Sequence, residues 1–314
     1  YCMLRDAGNL STDWNVTGYG NFNVSNVTNL GYMFGNVGTN DIDFAFEDFS
    51  NWNTSKVTQI NYLFGESGMN ATNYSVTGID KWDLSSVYNY NSLFYRAGYN
   101  STTFNIGDLS DWDTSSATDM GFIFGSAGYI ASDWYVGDLS DWDTGKVTNF
   151  YAAFNATGEN DLEWSIGDLS NWDVSNVTEF RAMFKAAGYR ATNFTVGDLS
   201  NWDTSSATSM YETFSLAGRN SETWDVGLLS NWDVSNVTTM YRMFYQIGYE
   251  KVNAITLNLS AWRPKSVTTF SDMFKEAGYN ATGVSIGDLS AAKGNKQDAI
   301  KCIDDKDFLK ILRI

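Results

Sequence analysis

The chain has 314 residues, 43% hydrophobic and 16% aromatic, with one proline and no histidine, a composition that supplies a core and argues against disorder. Its net charge of −17 and pI near 4.2 exclude nucleic acid and anionic membrane surfaces as partners, because both require a basic footprint. No apolar run approaches the roughly 20 residues needed to cross a bilayer, so no membrane insertion is expected.

The chain repeats every 30 residues. Leu4 and Gly8 already stand in columns that recur as Phe34 and Gly38, so the first residues fall inside a repeat, as expected of a piece of a longer or processed protein. Phe22 precedes a tryptophan column at Trp52, Trp82, Trp112, Trp142, Trp172, Trp202, Trp232 and Trp262; a phenylalanine column runs from Phe34 to Phe274 and a glycine column from Gly8 to Gly278. An unbroken period of this size marks a solenoid, in which each unit buries its apolar face against its neighbours. We therefore expect one elongated domain over residues 1–290, of about nine 30-residue repeats, rather than the two domains that length alone suggests.

Within a repeat, Val177, Phe180, Met183, Phe184 and Ala187 fall at helical spacing, Ser175 or Asn176 can cap, and Gly188 suits a helix end. That pattern predicts a helix over Val177–Ala187. Phe194 and Val196 then alternate with polar residues, predicting a strand with a glycine-marked bulge at Gly197, and identical rungs make the ladder parallel. Strands stack about 4.8 Å apart and helices about 8–10 Å, so the stack should curve with its helices on the convex side. The expected fold class is α/β: a curved solenoid with one parallel strand region and one helix per rung.

From Ala291 the register breaks and the composition turns lysine-rich; Ile300, Ile303, Phe308, Leu309 and Leu312 predict an amphipathic capping helix over 291–314. Cys2 and Cys302 lie at opposite ends, some 40 Å apart at roughly 4.8 Å per rung, so no disulfide between them is expected.

The string Asp198-Leu-Ser-Asn-Trp-Asp-Thr-Ser-Ser-Ala-Thr-Ser-Met210 and its sister from Asp168 to Phe184 resemble the BspA-like leucine-rich repeat surface proteins of bacteria, whose hallmark is D-L-S-x-W-D-x-S-x-V-T-x-M-x-x-M-F. The resemblance covers residues 1 to about 291 and implies a secreted or cell-surface location and a role in adhesion. The connector Ala-Gly-Tyr-Asn-Ala-Thr-x-Phe is longer than in the common form.

Several columns could carry chemistry. Asp138, Asp168 and Asp198, with Asp108 and Asp288, form one carboxylate column; Asp143, Asp173 and Asp203, with Asp83, Asp113 and Asp233, form another. At about 5 Å, neighbouring carboxylates repel by something near 0.8 kcal/mol even in water. Calcium between rungs would offset this; Asx turns that satisfy local N–H groups are the simpler reading, and the columns fail at Leu228, Asn258 and Arg263. No other cofactor is implied. The tryptophan column invites sugar stacking but is more economically a core ladder. A threonine column (Thr28, Thr58, Thr118, Thr148, Thr178, Thr208, Thr238, Thr268) sits at the predicted helix start and reads as capping. Tyr99, Tyr129, Tyr189, Tyr249 and Tyr279 follow the helix-ending glycine in a column that also holds Thr39, Met69, Glu159 and Arg219; this variable loop edge supplies the ligand-contact candidates. Asn70, Asn100, Asn193 and Asn280 open glycosylation sequons.

No unique catalytic locus is legible, and enzyme activity is not expected. The leading expectation is an extracellular or cell-surface scaffold for adhesion or multivalent binding, its partner a host or neighbouring-cell surface protein or glycan. A filament or sheath subunit assembling end to end, and a carbohydrate-binding solenoid built on the tryptophan and aspartate columns, are the alternatives.

Overall fold

The computed structural model describes residues 2–287. The expected capping helix over 291–314, Cys302 and Asp288 lie outside them. The described residues wind into a β-solenoid of about eight turns that contains no α-helix. Its strands are three residues long: β1 Asp43–Ala45, β2 Asn73–Ser75, β3 Thr103–Asn105, β4 Asp133–Tyr135, β5 Asn193–Thr195, β6 Thr223–Asp225, β7 Ala254–Thr256 and β8 Gly283–Ser285. They pair in parallel, in register, as β1-β2-β3-β4, β5-β6 and β7-β8. A second ladder of single parallel bridges joins Asn29, Gln59, Asn89, Asp119, Asn149, Glu179, Ser209, Thr239 and Thr269 without a break.

The expected α/β, leucine-rich-repeat-like architecture is thus corrected, and the helix over Val177–Ala187 is a coil of tandem turns. Its backbone alternates between two kinds of hydrogen bond. The N–H groups of Phe180, Ala182, Phe184 and Ala186 donate to the next rung, at Ser209 O, Tyr211 O, Thr213 O and Ser215 O, while those of Met183, Lys185 and Ala187 close local turns on Phe180 O, Ala182 O and Phe184 O. Ala182 (φ 53°) and Ala186 (φ 55°) are left-handed, and equivalent residues are left-handed in rung after rung. A right-handed helix cannot contain them. The apolar residues of the motif do face inward: Val177, Phe180, Met183, Phe184 and Ala187 are all buried. Spacing of three and four residues puts side chains on one side of a turn coil as well as of a helix, so periodicity identified the inner face and not the backbone.

Without helices, every side of a rung stacks at strand-like spacing, and the predicted curvature loses its cause. Trp112 and Trp142 lie 6.1 Å apart at 7°, Phe154 and Phe184 5.7 Å apart at 7°, and Phe194 and Trp224 5.8 Å apart at 14°. The tryptophan column is core, 2–5% exposed. Each indole Nε1 in it donates to a carbonyl 33 residues back, as Trp142 does to Leu109 O and Trp172 to Leu139 O, both at 2.9 Å. The threonine column also changes meaning. Thr148, Thr178 and Thr208 donate their hydroxyls to the carbonyl of the equivalent residue one rung earlier (Thr118, Thr148 and Thr178), so they bind rungs together and cap no helix.

Two glycines show how the corners are built. Gly218 turns at φ 50°, and a Cβ there would stand 2.3 Å from Phe194 Cβ; at Gly197 (φ 88°) it would stand 1.8 Å from Asp168 Oδ1 of the preceding rung. Only glycine allows both the turn and the contact. In the repeat of Ile255, Leu257 and Leu259, which lacks this bulge glycine, Asn258 takes the left-handed position at φ 44°.

Between β4 and β5 the strand ladder is interrupted where an aspartate enters the interior. Asp161, 6% exposed, accepts the N–H of Trp134 at 3.0 Å and of Glu163 at 2.9 Å, removing a donor from the middle of β4. Asp41 takes the N–H of Trp14 in the same way. The ring column continues through the break, since Trp164 stacks on both Trp134 and Phe194.

Candidate functional site

The turn coil buries roughly every third or fourth side chain and points those between outward. On this outer face the structure gathers two rows of aromatic and arginine side chains. The first row follows the chain's growth: Arg5 lies over Tyr32, Tyr32 stacks on Tyr62 at 5.0 Å, Tyr95 meets Phe122 at 5.3 Å, and Phe122 meets Tyr151 at 4.5 Å. Arg181 then sits between Tyr151 (5.2 Å) and Tyr211 (4.7 Å), Tyr211 stacks on Tyr241 at 4.9 Å, and Arg242 lies over Tyr241 and Tyr245.

The second row holds the five tyrosines singled out from sequence. Tyr99 stacks on Tyr129 at 4.8 Å and Tyr249 on Tyr279 at 4.9 Å, while Tyr189 is joined to Tyr249 through Arg219, which lies 5.5 Å and 4.2 Å from the two ring centres. The tyrosines are half-buried, and Tyr279 is 49% exposed. Polar chains tie the rows together. The Tyr62 hydroxyl donates to Glu66 at 2.5 Å, Glu66 pairs with Arg96 at 3.1 Å, and Arg96 lies over Tyr99 at 4.9 Å. Burial first, and then the bond to Glu66, push the Tyr62 phenol up from its ordinary value. The bond from Tyr129 to Glu159 pushes the Tyr129 phenol up to about 12.

Five of the seven described arginines, Arg5, Arg96, Arg181, Arg219 and Arg242, stack on this face. The acids of the aspartate columns gather elsewhere, on the corners beside the tryptophans. Asp138, Asp168 and Asp198 accept from the N–H of Ser140, Ser170 and Ser200 at 2.9–3.0 Å. Asp143, Asp173 and Asp203 do the same for Gly145, Ser175 and Ser205. These are Asx turns, and the serine hydroxyl and N–H hold the carboxyls of Asp108, Asp113 and Asp173 below their ordinary range. Among the described residues no group of three or more acidic, cysteine or histidine side chains converges on one point where a metal could sit.

Asn70, Asn100, Asn193 and Asn280 are exposed. The Nδ2 that a glycan would occupy donates to Asn40 Oδ1 from Asn70 and to Asn70 Oδ1 from Asn100. Asn280 Nδ2 donates to Glu250 O, and Asn193 opens β5 and accepts from Thr223.

The first aromatic row was not legible as a column, because its residues move between neighbouring positions of the repeat: Tyr62, Tyr95, Phe122 and Tyr151 do not share one 30-residue register. Only the turn coil brings those positions onto one face.

This outer face accompanies a repeat that is itself recognisable. The family described as "Mycoplasma protein of unknown function, DUF285" matches residues 3–97, 66–188, 99–222 and 189–292. The chain belongs to this family. Comparison with curated proteins and with solved structures gave no match. Membership fits a repeat scaffold, and the candidate site on that scaffold is its long outer face of aromatic rings, hydroxyls and guanidinium groups.

Proposed function

We propose that the solenoid is displayed at a cell surface and binds a partner protein across its tyrosine–arginine face through many shallow contacts, serving adhesion. The observation that carries this reading is the pair of rows from Arg5 to Tyr245 and from Tyr99 to Tyr279, since tyrosine and arginine are the side chains that dominate protein–protein contact energy. The core does not need these residues. Regular spacing suits a partner that engages several rungs together, so that weak contacts sum. The resemblance to BspA-like surface proteins supports the location. The reading involves no chemical step.

A glycan partner has less support. The tryptophans are in the core, and in the pairs Tyr99–Tyr129 and Tyr249–Tyr279 each ring covers one face of the other at 11–16°, so fewer ring faces are open to a sugar. An array of cell-surface and matrix proteins together with glycans tests the proposal, using the wild type and a Tyr99→Ser/Tyr211→Ser/Tyr249→Ser variant with an unchanged circular-dichroism melt. Binding to a protein that the variant loses is expected. Binding that survives all three substitutions, or is confined to glycans, would overturn it.

A further inference from the structure

We propose that Tyr129, Glu159 and Tyr189 form a slot that receives one arginine side chain of the bound partner. This rests on the partner-protein reading above and names the chemistry of one contact within it.

The solenoid shows what such a slot holds. Twice on this face, tyrosines two rungs apart enclose an arginine from the rung between them. Arg219 lies 5.5 Å and 4.2 Å from the ring centres of Tyr189 and Tyr249, and Arg181 lies 5.2 Å and 4.7 Å from those of Tyr151 and Tyr211. Two rungs span roughly 10 Å, twice the strand spacing, which admits one flat guanidinium with a ring on either side. Tyr129 and Tyr189 stand in the same relation, yet the residue between them is Glu159.

The outer sides of this third pair are already covered, Tyr129 by Tyr99 at 4.8 Å and Tyr189 by Arg219. The two ring faces turned toward Glu159 carry no aromatic or cationic neighbour among the described residues. Glu159 keeps the rung in register, its N–H donating to Tyr129 O at 2.7 Å and its carbonyl accepting from Arg190 at 3.2 Å. Its carboxylate raises the pKa of the Tyr129 phenol and has no ion-pair partner among the described residues, whereas Arg219 is paired with Glu250 at 3.0 Å. Two ring quadrupoles and an uncompensated carboxylate therefore converge on a place sized for a planar cation. A guanidinium fits better than an ammonium because it is flat and weakly hydrated, and every cation over a ring on this face is an arginine. The net charge of −17 favours approach of a basic partner.

The test uses the full chain with ring-labelled tyrosine, the signals of Tyr129 and Tyr189 being assigned from Tyr129→Phe and Tyr189→Phe. The probe is a capped Gly-Ser-Arg-Ser-Gly peptide, with the citrulline peptide as its flat, neutral counterpart. Saturable shifts of these two signals with the arginine peptide, and none with citrulline, are expected; Glu159→Gln should weaken the response several-fold. Glu159→Arg should fill the slot from within, moving both signals without peptide and abolishing the response. Equal shifts at all exposed tyrosines, equal response to citrulline, or an unaltered response in Glu159→Arg would overturn the slot. If array binding persists under any of those outcomes, the slot falls and the scaffold reading stands.

Discussion

The turn coil and the helix it replaces give opposite signs for one simple perturbation. Ala156 and Ala186 occupy equivalent positions at φ 51° and 55°, and their N–H groups donate to Lys185 O and Ser215 O of the next rung at 2.7 Å and 2.8 Å. In a helix, Ala→Gly costs about 1 kcal/mol. In the left-handed region an L-residue carries about 1–2 kcal/mol of strain that glycine lacks. Glycine's freer unfolded chain returns about 0.4–1 kcal/mol of that.

The balance is a gain of between about 0 and 1.5 kcal/mol per site, so Ala156→Gly/Ala186→Gly should be more stable than the wild type by something on the order of 1 kcal/mol. Ala187 serves as the control: it is fully buried and absent from the left-handed set, so Ala187→Gly should cost about 1 kcal/mol or more. Urea unfolding followed by tryptophan fluorescence reads both. A double variant destabilised by about 1 kcal/mol per site would restore the helix and refute the turn coil.

Other substitutions address the core, an orphaned hydroxyl and the carboxyls. Phe184, fully buried and stacked at 5.7 Å on Phe154 and 5.4 Å on Phe214, should cost about 3–5 kcal/mol as Phe184→Ala in urea unfolding, whereas Tyr189→Ala should stay within about 1 kcal/mol. The buried Tyr90 hydroxyl has no hydrogen-bond partner among the described residues, so Tyr90→Phe should raise stability by about 1–2 kcal/mol; a loss would mean that the hydroxyl is satisfied. The carboxyls divide by sign. Asp173 is held low by the hydroxyl and N–H of Ser175, so it stabilises the fold above the unfolded carboxyl pKa and loses that contribution as pH falls through its lower folded value. Asp161 is raised by burial, so its penalty is present above its folded pKa and is relieved as pH falls through that value toward the unfolded one. From pH 7 into the acid range, the melting advantage of wild type over Asp173→Ala should shrink, while wild type should gain relative to Asp161→Ala. Parallel pH slopes for the two variants would contradict the assignment.

The 30-residue period, the inward set Val177, Phe180, Met183, Phe184 and Ala187, the parallel strand at Phe194 and the turn at Gly197 were all readable in the sequence. Each depends on side-chain type recurring at a fixed position. The backbone of the Val177–Ala187 segment was not readable, because no glycine or asparagine advertises its left-handed sites: Ala182, Ala186, Leu216 and Arg242 hold φ 51–63°, supported by hydrogen bonds to the next rung. Those bonds exist only once rungs are stacked, so local propensity carries no trace of them. The second tyrosine row was legible because it keeps its register. The first row and the Tyr–Arg–Tyr sandwiches were not, since they depend on the spacing of rungs.

That spacing also links fold to recognition. Equivalent residues on a helical side would recur about 8–10 Å apart, too far for rings on adjacent rungs to touch. A turn coil brings them close enough that Tyr99 and Tyr129 stack at 4.8 Å and Tyr211 and Tyr241 at 4.9 Å. Outer side chains therefore form continuous rows, and a change in one rung alters the contacts of the rungs on either side. The phenylalanine and tryptophan columns hardly vary along the chain, because each must stack on copies of itself. The outer row reads Tyr99, Tyr129, Glu159, Tyr189, Arg219, Tyr249, Tyr279. It varies without disturbing the core, so selectivity can be set there one rung at a time.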